Sequence, residues 1–164
     1  MRLGIHHKIG KMVCSELKDL NYKLNEKLFL LGNIFPDLIQ SYIWCRHEYK
    51  HSRKYVLKKI EQLKKRPKLF SFHLGVLTHY ICDYFCYPHS NSCNKGFIHH
   101  IIYEIRQKVP EDIHRTKLNI IGFKIEELDR FVDLYERFCA CNEDNEADFH
   151  IATAVASNFL QAAY

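Results

Sequence analysis

The stretch LFSFHLGVLTHYICDYFCYPH, residues 69–89, is the most strongly apolar part of the chain. Wound at 3.6 residues per turn it is apolar on nearly all sides, which predicts a buried central helix from Leu69 to Tyr87. Pro88 ends this helix, because proline lacks an amide donor and crowds the preceding turn. The stretch is interrupted by three polar side chains, His73, His79 and Asp83. It is therefore too polar and too short to span a bilayer, and we predict no transmembrane helix.

Outside this stretch, apolar residues recur at helical spacing almost throughout, and no sustained alternation of apolar and polar residues argues for a sheet. We therefore predict an all-α fold, and the length predicts one domain spanning residues 1–164. The remaining helices are expected at Ile9–Leu24, Glu26–Leu31, His51–Lys65, Lys95–Lys108, Lys124–Ala140 and Asp144–Ala162. Gly32 to Pro36 is expected to break the chain.

The composition is that of a globular protein, because 47% of the residues are hydrophobic and 13% are aromatic. Much of the formal charge of +5 comes from KHSRKYVLKKIEQLKKRPK, residues 50–68. Its basic residues alternate with four apolar ones, Val56, Leu57, Ile60 and Leu63. This pattern predicts an amphipathic helix with a solvated basic face, which can attract phosphate-bearing surfaces. Nothing in it is suited to reading bases, so nucleic-acid binding is the less favoured prediction.

Seven cysteines, an odd number, stand at positions 14, 45, 82, 86, 93, 139 and 141, and none has the C-x2-C spacing of a structural zinc ribbon. Cys82 and Cys86 lie in the apolar central segment, where free thiols behave as small core residues. The opening sequence MRLGIHHKIGKMV lacks the long apolar run of a signal peptide. We therefore expect a reduced, cytoplasmic protein.

His79 and Asp83 stand four positions apart on the central helix and so project from the same face. They are either a hydrogen-bonded core pair or two ligands of one metal ion. An ionised aspartate in such apolar surroundings costs several kcal/mol unless a positive charge compensates it. A zinc ion would provide that charge.

His100 and Glu104 repeat this spacing on the next helix. Another face of that helix carries three apolar residues, Phe97, Ile101 and Ile105. The alternative to a metal site is therefore a surface pair flanking a core stripe. His89, directly after Pro88, is either a third ligand or a polar residue of a surface turn.

The segment GNIFPD, residues 32–37, predicts a tight bend that presents Asp37. The alternative is helix punctuation with Asp37 as an N-cap. Further candidate nitrogen ligands are four histidines, His47 and His51 in RHEYKHS and His6 and His7 near the start.

Taken in order from the N-terminal histidine to Glu104, these residues form the pattern H…GxxxPD…H…HxxxDxxxxxH…HxxxE. The pattern resembles that of the bacterial zinc-dependent phospholipases C. Its most specific part is GVLTHYICDYFCYPH, residues 75–89, which looks like the central helix of that family. The histidine, the bridging aspartate and the later histidine have the same order and spacing.

The resemblance implies two zinc ions with full sets of ligands. One would be held by Asp37, a histidine near residue 47, His79 and Asp83. The second would be held by His89, His100 and Glu104. The spacing from His47 to the helix beginning near Ser52 is similar to the compact members of the family, which favours His47 over His51.

The resemblance also implies a third zinc, to which Asp83 bridges and which His6 binds. His6 is favoured over His7 because HHKIG resembles the opening H-x-x-I-[AG] of the family. Secreted members complete this third position with the amino group and carbonyl of an N-terminal tryptophan, whereas the present sequence has Met1 five residues before His6.

The implied activity is zinc-dependent hydrolysis of a phosphodiester, cleaving a phospholipid to diacylglycerol and a phosphorylated head group with a zinc-activated water. Asp37 would orient or deprotonate that water. Two alternatives remain open. One is a zinc hydrolase like the related single-strand nucleases, which the basic helix favours. The other is a non-catalytic zinc-binding helical protein.

Overall fold

The computed structural model describes residues 1, 3–19, 21–39, 48–65, 69–93, 95–107, 125–140 and 144–162. Within these ranges the chain forms seven α-helices and one 3-10 turn, and no β-strand. The helices are α1 (Leu3–Asp19), α2 (Glu26–Leu38), α3 (Tyr49–Lys65), α4 (Phe70–Tyr84), α5 (Phe97–Arg106), α6 (Ile125–Cys139) and α7 (Asn145–Ala162), and the 3-10 turn is Tyr87–His89. The predicted all-α fold is confirmed.

The centre of the fold is α4. Every residue from Leu74 to Tyr84 is buried, and α1, α2, α3 and α7 all pack against this helix. A helix that is apolar on all sides needs a neighbour on each face to remove it from water, which explains its central position. The helix ends at Tyr84, before the predicted end at Tyr87, and Pro88 lies in the 3-10 turn.

Helices α2 and α4 cross at two glycines. A β-carbon at Gly32 would lie 2.0 Å from the carbonyl oxygen of Phe72, and one at Gly75 would lie 2.0 Å from that of Phe29. Both distances are far below van der Waals contact, so only glycine permits so close a backbone approach. The crossing therefore fixes how the C-terminal turns of α2 lie against α4.

The expected break at Gly32 to Pro36 is wrong, because α2 continues through both residues to Leu38. Gly32 serves the contact with α4 rather than a turn. Pro36 is buried within the helix, although an internal proline costs about 3 kcal/mol in lost hydrogen bonding and crowding. The extensive packing of α2 on α4 offsets that cost.

Helix α1 begins and ends earlier than the predicted range Ile9–Leu24. It ends because Asn21 adopts a left-handed conformation, with φ 65°. The amide of Tyr22 then donates to the carbonyl of Leu17 at 3.0 Å. This arrangement satisfies the last carbonyl groups of the helix and directs the chain away from its axis.

Helix α3 has the predicted amphipathic character. Val56 is buried on its inner face, whereas three lysines on the opposite side are exposed, Lys50, Lys54 and Lys58. Arg53 joins α3 to α6 through two hydrogen bonds to the Asp129 carboxylate, at 2.8 and 2.7 Å. The exposed lysines form a solvated basic face.

The cysteines that lie within the described ranges are free thiols, and Cys82 and Cys86 are buried in the core as predicted. Across those same ranges, no helix is both long and apolar enough to cross a membrane.

Candidate metal centre

Asn33 in α2 holds two helices that carry predicted ligands. Its side-chain amide donates to the backbone carbonyl of His6 in α1. Gly10 leaves room for this contact, because a β-carbon there would lie 2.5 Å from the Asn33 amide nitrogen. The backbone carbonyl of Asn33 accepts a hydrogen bond from Nδ1 of His79 in α4 at 3.0 Å. With the hydrogen on Nδ1, Nε2 of His79 presents its lone pair to the site.

The first group of candidate ligands is His6, Asp37 and His79. One ligand atom from each lies within 4.8 Å of the others, and His79 Nε2 is 3.6 Å from Asp37 Oδ1. The His6 and His79 rings are fully buried and stack with their centroids 4.0 Å apart. Asp37 is partly exposed, so this group has a buried floor and an edge that solvent reaches.

The second group is His89, His100 and Glu104, whose ligand atoms also lie within 4.8 Å of one another. His100 Nε2 is 3.0 Å from Glu104 Oε1, and His89 Nε2 is 3.9 Å from the same oxygen. The 3-10 turn supplies His89, and one face of α5 supplies the other two side chains.

Asp83 lies between the two groups and is fully buried. Its Oδ1 is 3.1 Å from His6 Nε2 and 3.7 Å from His89 Nε2. Its Oδ2 is 3.3 Å from His79 Nε2. One carboxylate therefore reaches histidines of both groups, the position expected of a ligand shared between metal ions.

The amino group of Met1 lies in the same place. Its nitrogen is 2.7 Å from Asp83 Oδ1, 2.8 Å from His89 Nε2 and 3.2 Å from Glu104 Oε1. The ammonium group is completely buried there. A buried cation held by two carboxylates shows that the centre attracts positive charge.

The pKa values of the buried carboxyl groups agree with this charge pattern. Burial opposes ionisation of Asp83, but the adjacent Met1 ammonium outweighs it and holds the pKa of Asp83 well below its usual range. Burial likewise opposes ionisation of Glu104, but the hydrogen bond from His100 and the Met1 ammonium lower the pKa of Glu104 strongly. Asp83 and Glu104 are therefore both ionised at neutral pH.

The pKa of His89 is also lowered, but for a histidine this favours the neutral form. Burial, together with the Met1 ammonium, lowers the pKa of His89 to about 4. The imidazole is therefore neutral at physiological pH, and a neutral imidazole nitrogen can bind a metal without first losing a proton.

The donor set fits zinc. Imidazole nitrogen and carboxylate oxygen are ligands that zinc accepts, and both groups combine them. His6 is fully buried, yet within the described part of the chain neither of its ring nitrogens makes a hydrogen bond. A buried polar nitrogen in that state is costly, and a metal ligand bond would satisfy it.

The structure separates the alternative histidines only in part. His47 lies outside the described residues. His51 is exposed and its Nδ1 is 2.9 Å from the Glu48 carboxylate, so it forms a surface pair at the start of α3. His7 belongs to neither group of described candidate ligands.

Two expectations about local structure are wrong. Asp37 lies in the last turn of α2, in neither a bend nor an N-cap, because the Gly32 contact with α4 keeps the helix intact. On the core stripe that the alternative placed on α5, Ile101 and Ile105 are exposed, and the side chain of Phe97 lies outside the described part of the structure. Tyr103 is the buried anchor of that helix instead.

Asp148 is a buried carboxylate that sequence reasoning missed. It accepts hydrogen bonds from the amide of Tyr87 at 2.7 Å and from the hydroxyls of Tyr103 and Tyr135. Burial raises the pKa of Asp148 to about 6. Asp148 in α7 thereby joins the turn that carries His89 to α5 and α6. A sequence signal existed, because Asp148 shares a helical face with Ala152, which lies four residues later.

The described residues are all-helical and bring buried histidines and carboxylates together in two groups on either side of Asp83, which defines a candidate metal centre. A family model described as zinc dependent phospholipase C matches residues 5–147. The chain therefore belongs to the zinc-dependent phospholipase C family. The match contains every candidate ligand and ends one residue before Asp148. No curated protein and no solved structure matches the chain.

Proposed function

We propose that the chain hydrolyses a phospholipid in the manner of a phospholipase C, releasing diacylglycerol and a phosphorylated head group. The observation that carries this proposal is the position of Asp83, a buried carboxylate within 4 Å of histidines from both candidate groups. Family membership supports the class of substrate.

The proposed ligand sets keep the second group and divide the first, because His6, which lies with Asp37 and His79, is assigned with Asp83 to a third position. Asp37, His79 and Asp83 would hold one zinc, together with His47 from outside the described residues. A second zinc would be held by His89, His100 and Glu104. A third position is proposed between His6 and Asp83, whose nearest atoms are 3.1 Å apart.

The reaction adds water to phosphorus and breaks the bond between phosphorus and the glycerol oxygen, which takes up a proton. Bound zinc would polarise a phosphoryl oxygen and lower the pKa of the attacking water. Asp37 lies at the partly exposed edge of the site, where its carboxylate can orient that water and accept its proton. The hydrogen bond from His79 to Asn33 fixes the imidazole beside it.

A nuclease-like hydrolase is the second candidate, and the exposed lysines of α3 favour it because a basic face attracts a polyphosphate chain. The two activities are separated by assaying a chromogenic phosphorylcholine ester alongside single-stranded DNA. We expect turnover of the ester only. Cleavage of DNA without the ester would reject the phospholipase proposal.

Asp37→Asn tests the proposed proton acceptor and is expected to lower turnover of the ester by a factor of about 100 or more. Glu48→Gln, which removes an exposed carboxylate paired with His51, is the matched control and should keep full activity. Equal activity in both variants would contradict the role of Asp37.

Metal analysis tests whether the chain binds zinc, which both the proposed hydrolase and the non-catalytic alternative require. Protein purified without chelator is expected to contain at least one zinc per chain, and the double variant His79→Ala with His89→Ala to lose it. A zinc-containing chain that hydrolyses neither substrate would support a non-catalytic zinc-binding protein instead.

A further inference from the structure

Helix α5 exposes four isoleucines on one face. Their exposed fractions are 74% for Ile98, 41% for Ile101, 41% for Ile102 and 67% for Ile105. The spacing i, i+3, i+4 and i+7 places them along one side of the helix, and we call them the isoleucine stripe. Single exposed apolar residues are ordinary, whereas a contiguous row marks a surface that meets something apolar.

The stripe borders the candidate metal centre. Ile101 stands one turn before Glu104, so the two side chains are neighbours on the helix surface. Glu104 and His100 belong to the second group of candidate ligands, and Tyr103 points into the core towards Asp148. One short helix thus has an anchored face, a ligand-bearing face and an apolar face open to solvent.

Positive charge stands at both ends of the stripe. Lys95 and Arg106 precede and end α5, and both are exposed. Lys95 also lies over the Tyr87 ring, with Nζ 5.6 Å from the ring centroid, which holds its charge near the turn that carries His89. The acidic residue of α5, Glu104, pairs with His100. The two described ends of the stripe are therefore cationic.

We propose that the isoleucine stripe, with Lys95 and Arg106, docks on the surface of an anionic phospholipid bilayer. Apolar side chains would enter the acyl boundary while the two cations meet lipid phosphates, the combination by which amphipathic helices lie in a membrane interface. This inference rests on the proposed function, because docking there would set the candidate metal centre beside the head groups of its substrate.

Vesicle binding tests the docking surface directly. The vesicles contain phosphonate analogues of phosphatidylcholine and phosphatidylglycerol, in which a methylene group replaces the oxygen that a phospholipase C would release. The wild-type chain is expected to bind the mixed vesicles more tightly than vesicles of the phosphatidylcholine analogue alone. Ile98→Ser with Ile105→Ser should weaken binding roughly a hundredfold, because two large side chains no longer leave water.

Matched controls come from other helices. Leu31→Ser alters a leucine of α2 that is 45% exposed and should leave vesicle binding unchanged. Arg106→Gln should weaken binding to the anionic vesicles about fivefold, whereas Arg130→Gln, at an exposed arginine of α6, should not. Unchanged melting temperatures would show that the variants remain folded.

A soluble, monomeric phosphorylcholine ester tests hydrolysis without membrane docking, so the two proposals can fail independently. The stripe variant should hydrolyse the monomeric ester at the wild-type rate and show a raised KM on vesicles of natural phospholipid. Absence of hydrolysis with normal vesicle binding would reject the proposed function and leave the docking surface standing.

Three outcomes would overturn the docking proposal. The first is failure of the wild-type chain to bind anionic vesicles, and the second is equal binding by the stripe variant. The third is a wild-type dimer in solution that the stripe variant converts to a monomer, which would assign the isoleucines to contact with a second copy of the chain.

Discussion

Asp83 shows how one residue organises the centre. Its two oxygens lie 3.1 to 3.7 Å from three histidines, and the Met1 ammonium donates to Oδ1. An isolated carboxylate at that depth would be protonated, yet the surrounding positive charge keeps it ionised. The buried centre therefore holds a full negative charge at Asp83, in addition to its two oxygen atoms.

Replacing Asp83 with asparagine preserves shape and removes this charge. In excess chelator we expect Asp83→Asn to lower the free energy of unfolding by about 3 kcal/mol, because one partner of a buried ion pair is lost. Urea unfolding measures the change. Asp129→Asn, which breaks the more exposed pair with Arg53, should cost less than about 1 kcal/mol. Equal losses in the two variants would contradict a special role for the buried charge.

At the scale of elements, the crossing of α2 and α4 determines how two candidate ligands, Asp37 and His79, lie relative to each other. The two glycines allow backbone contact, and the last turn of α2 then brings Asp37 to 3.6 Å from His79. A wider crossing would separate two residues that are expected to share a metal ion.

Gly75→Ala tests this crossing. Alanine normally stabilises a helix by about 1 kcal/mol relative to glycine, but the new methyl group would strike the carbonyl of Phe29. We expect a net destabilisation of about 1 to 3 kcal/mol in urea unfolding, together with weaker zinc binding. Gly4→Ala in α1 is the control, because nothing lies within 4 Å of its β-carbon position, and it should be neutral or stabilising.

The Asp148 carboxyl group in α7, which hydrogen-bonds to the 3-10 turn, α5 and α6, has a shifted pKa. Its pKa of about 6 in the folded chain exceeds the value of about 4 for an exposed aspartate, so the folded state holds the proton more tightly. The stability that this group contributes is present below about pH 4 and falls as the pH rises through about 6.

Asp148→Asn removes that titration. The free energy of unfolding of the wild-type chain, taken relative to this variant, should fall by roughly 3 kcal/mol between pH 4 and pH 7. Urea unfolding at a series of pH values measures the difference. A constant difference, or one that grows with pH, would show that the carboxyl is not protonated more readily in the folded chain.

On the scale of the whole molecule, the candidate ligands tie distant parts of the chain together. They come from α1, α2, α4, the 3-10 turn and α5. A metal ion that binds only the folded arrangement stabilises all of these elements at once, by an amount that depends on its concentration relative to its dissociation constant.

Chelation should therefore lower the melting temperature. At a zinc concentration about 1,000 times the dissociation constant, the metal contributes about 4 kcal/mol, which corresponds to a shift on the order of 10 °C for a chain of this size. Calorimetry with and without chelator measures it, and the double variant His79→Ala with His89→Ala should show no such shift. A wild-type transition that chelator leaves unchanged would argue against a buried metal.

The sequence by itself determined the helical character of the chain and the residue pairs that share a helix face. Apolar periodicity predicted the buried central helix, and the four-residue spacings of His79 with Asp83 and of His100 with Glu104 predicted side chains on common faces. These predictions succeed because the geometry of a helix is local, so that spacing along the chain fixes which side chains are neighbours.

Only the tertiary structure decided what each face meets. Gly32 was expected to turn the chain but serves a helix crossing, and Ile101 and Ile105, which the surface-pair alternative placed on a core stripe, face solvent. The tertiary structure also revealed two contacts, that of the Met1 amino group with Asp83 and that of Asp148 with the Tyr87 amide. These contacts join residues far apart in the sequence, and periodicity along one helix carries no information about the partner that packs against it.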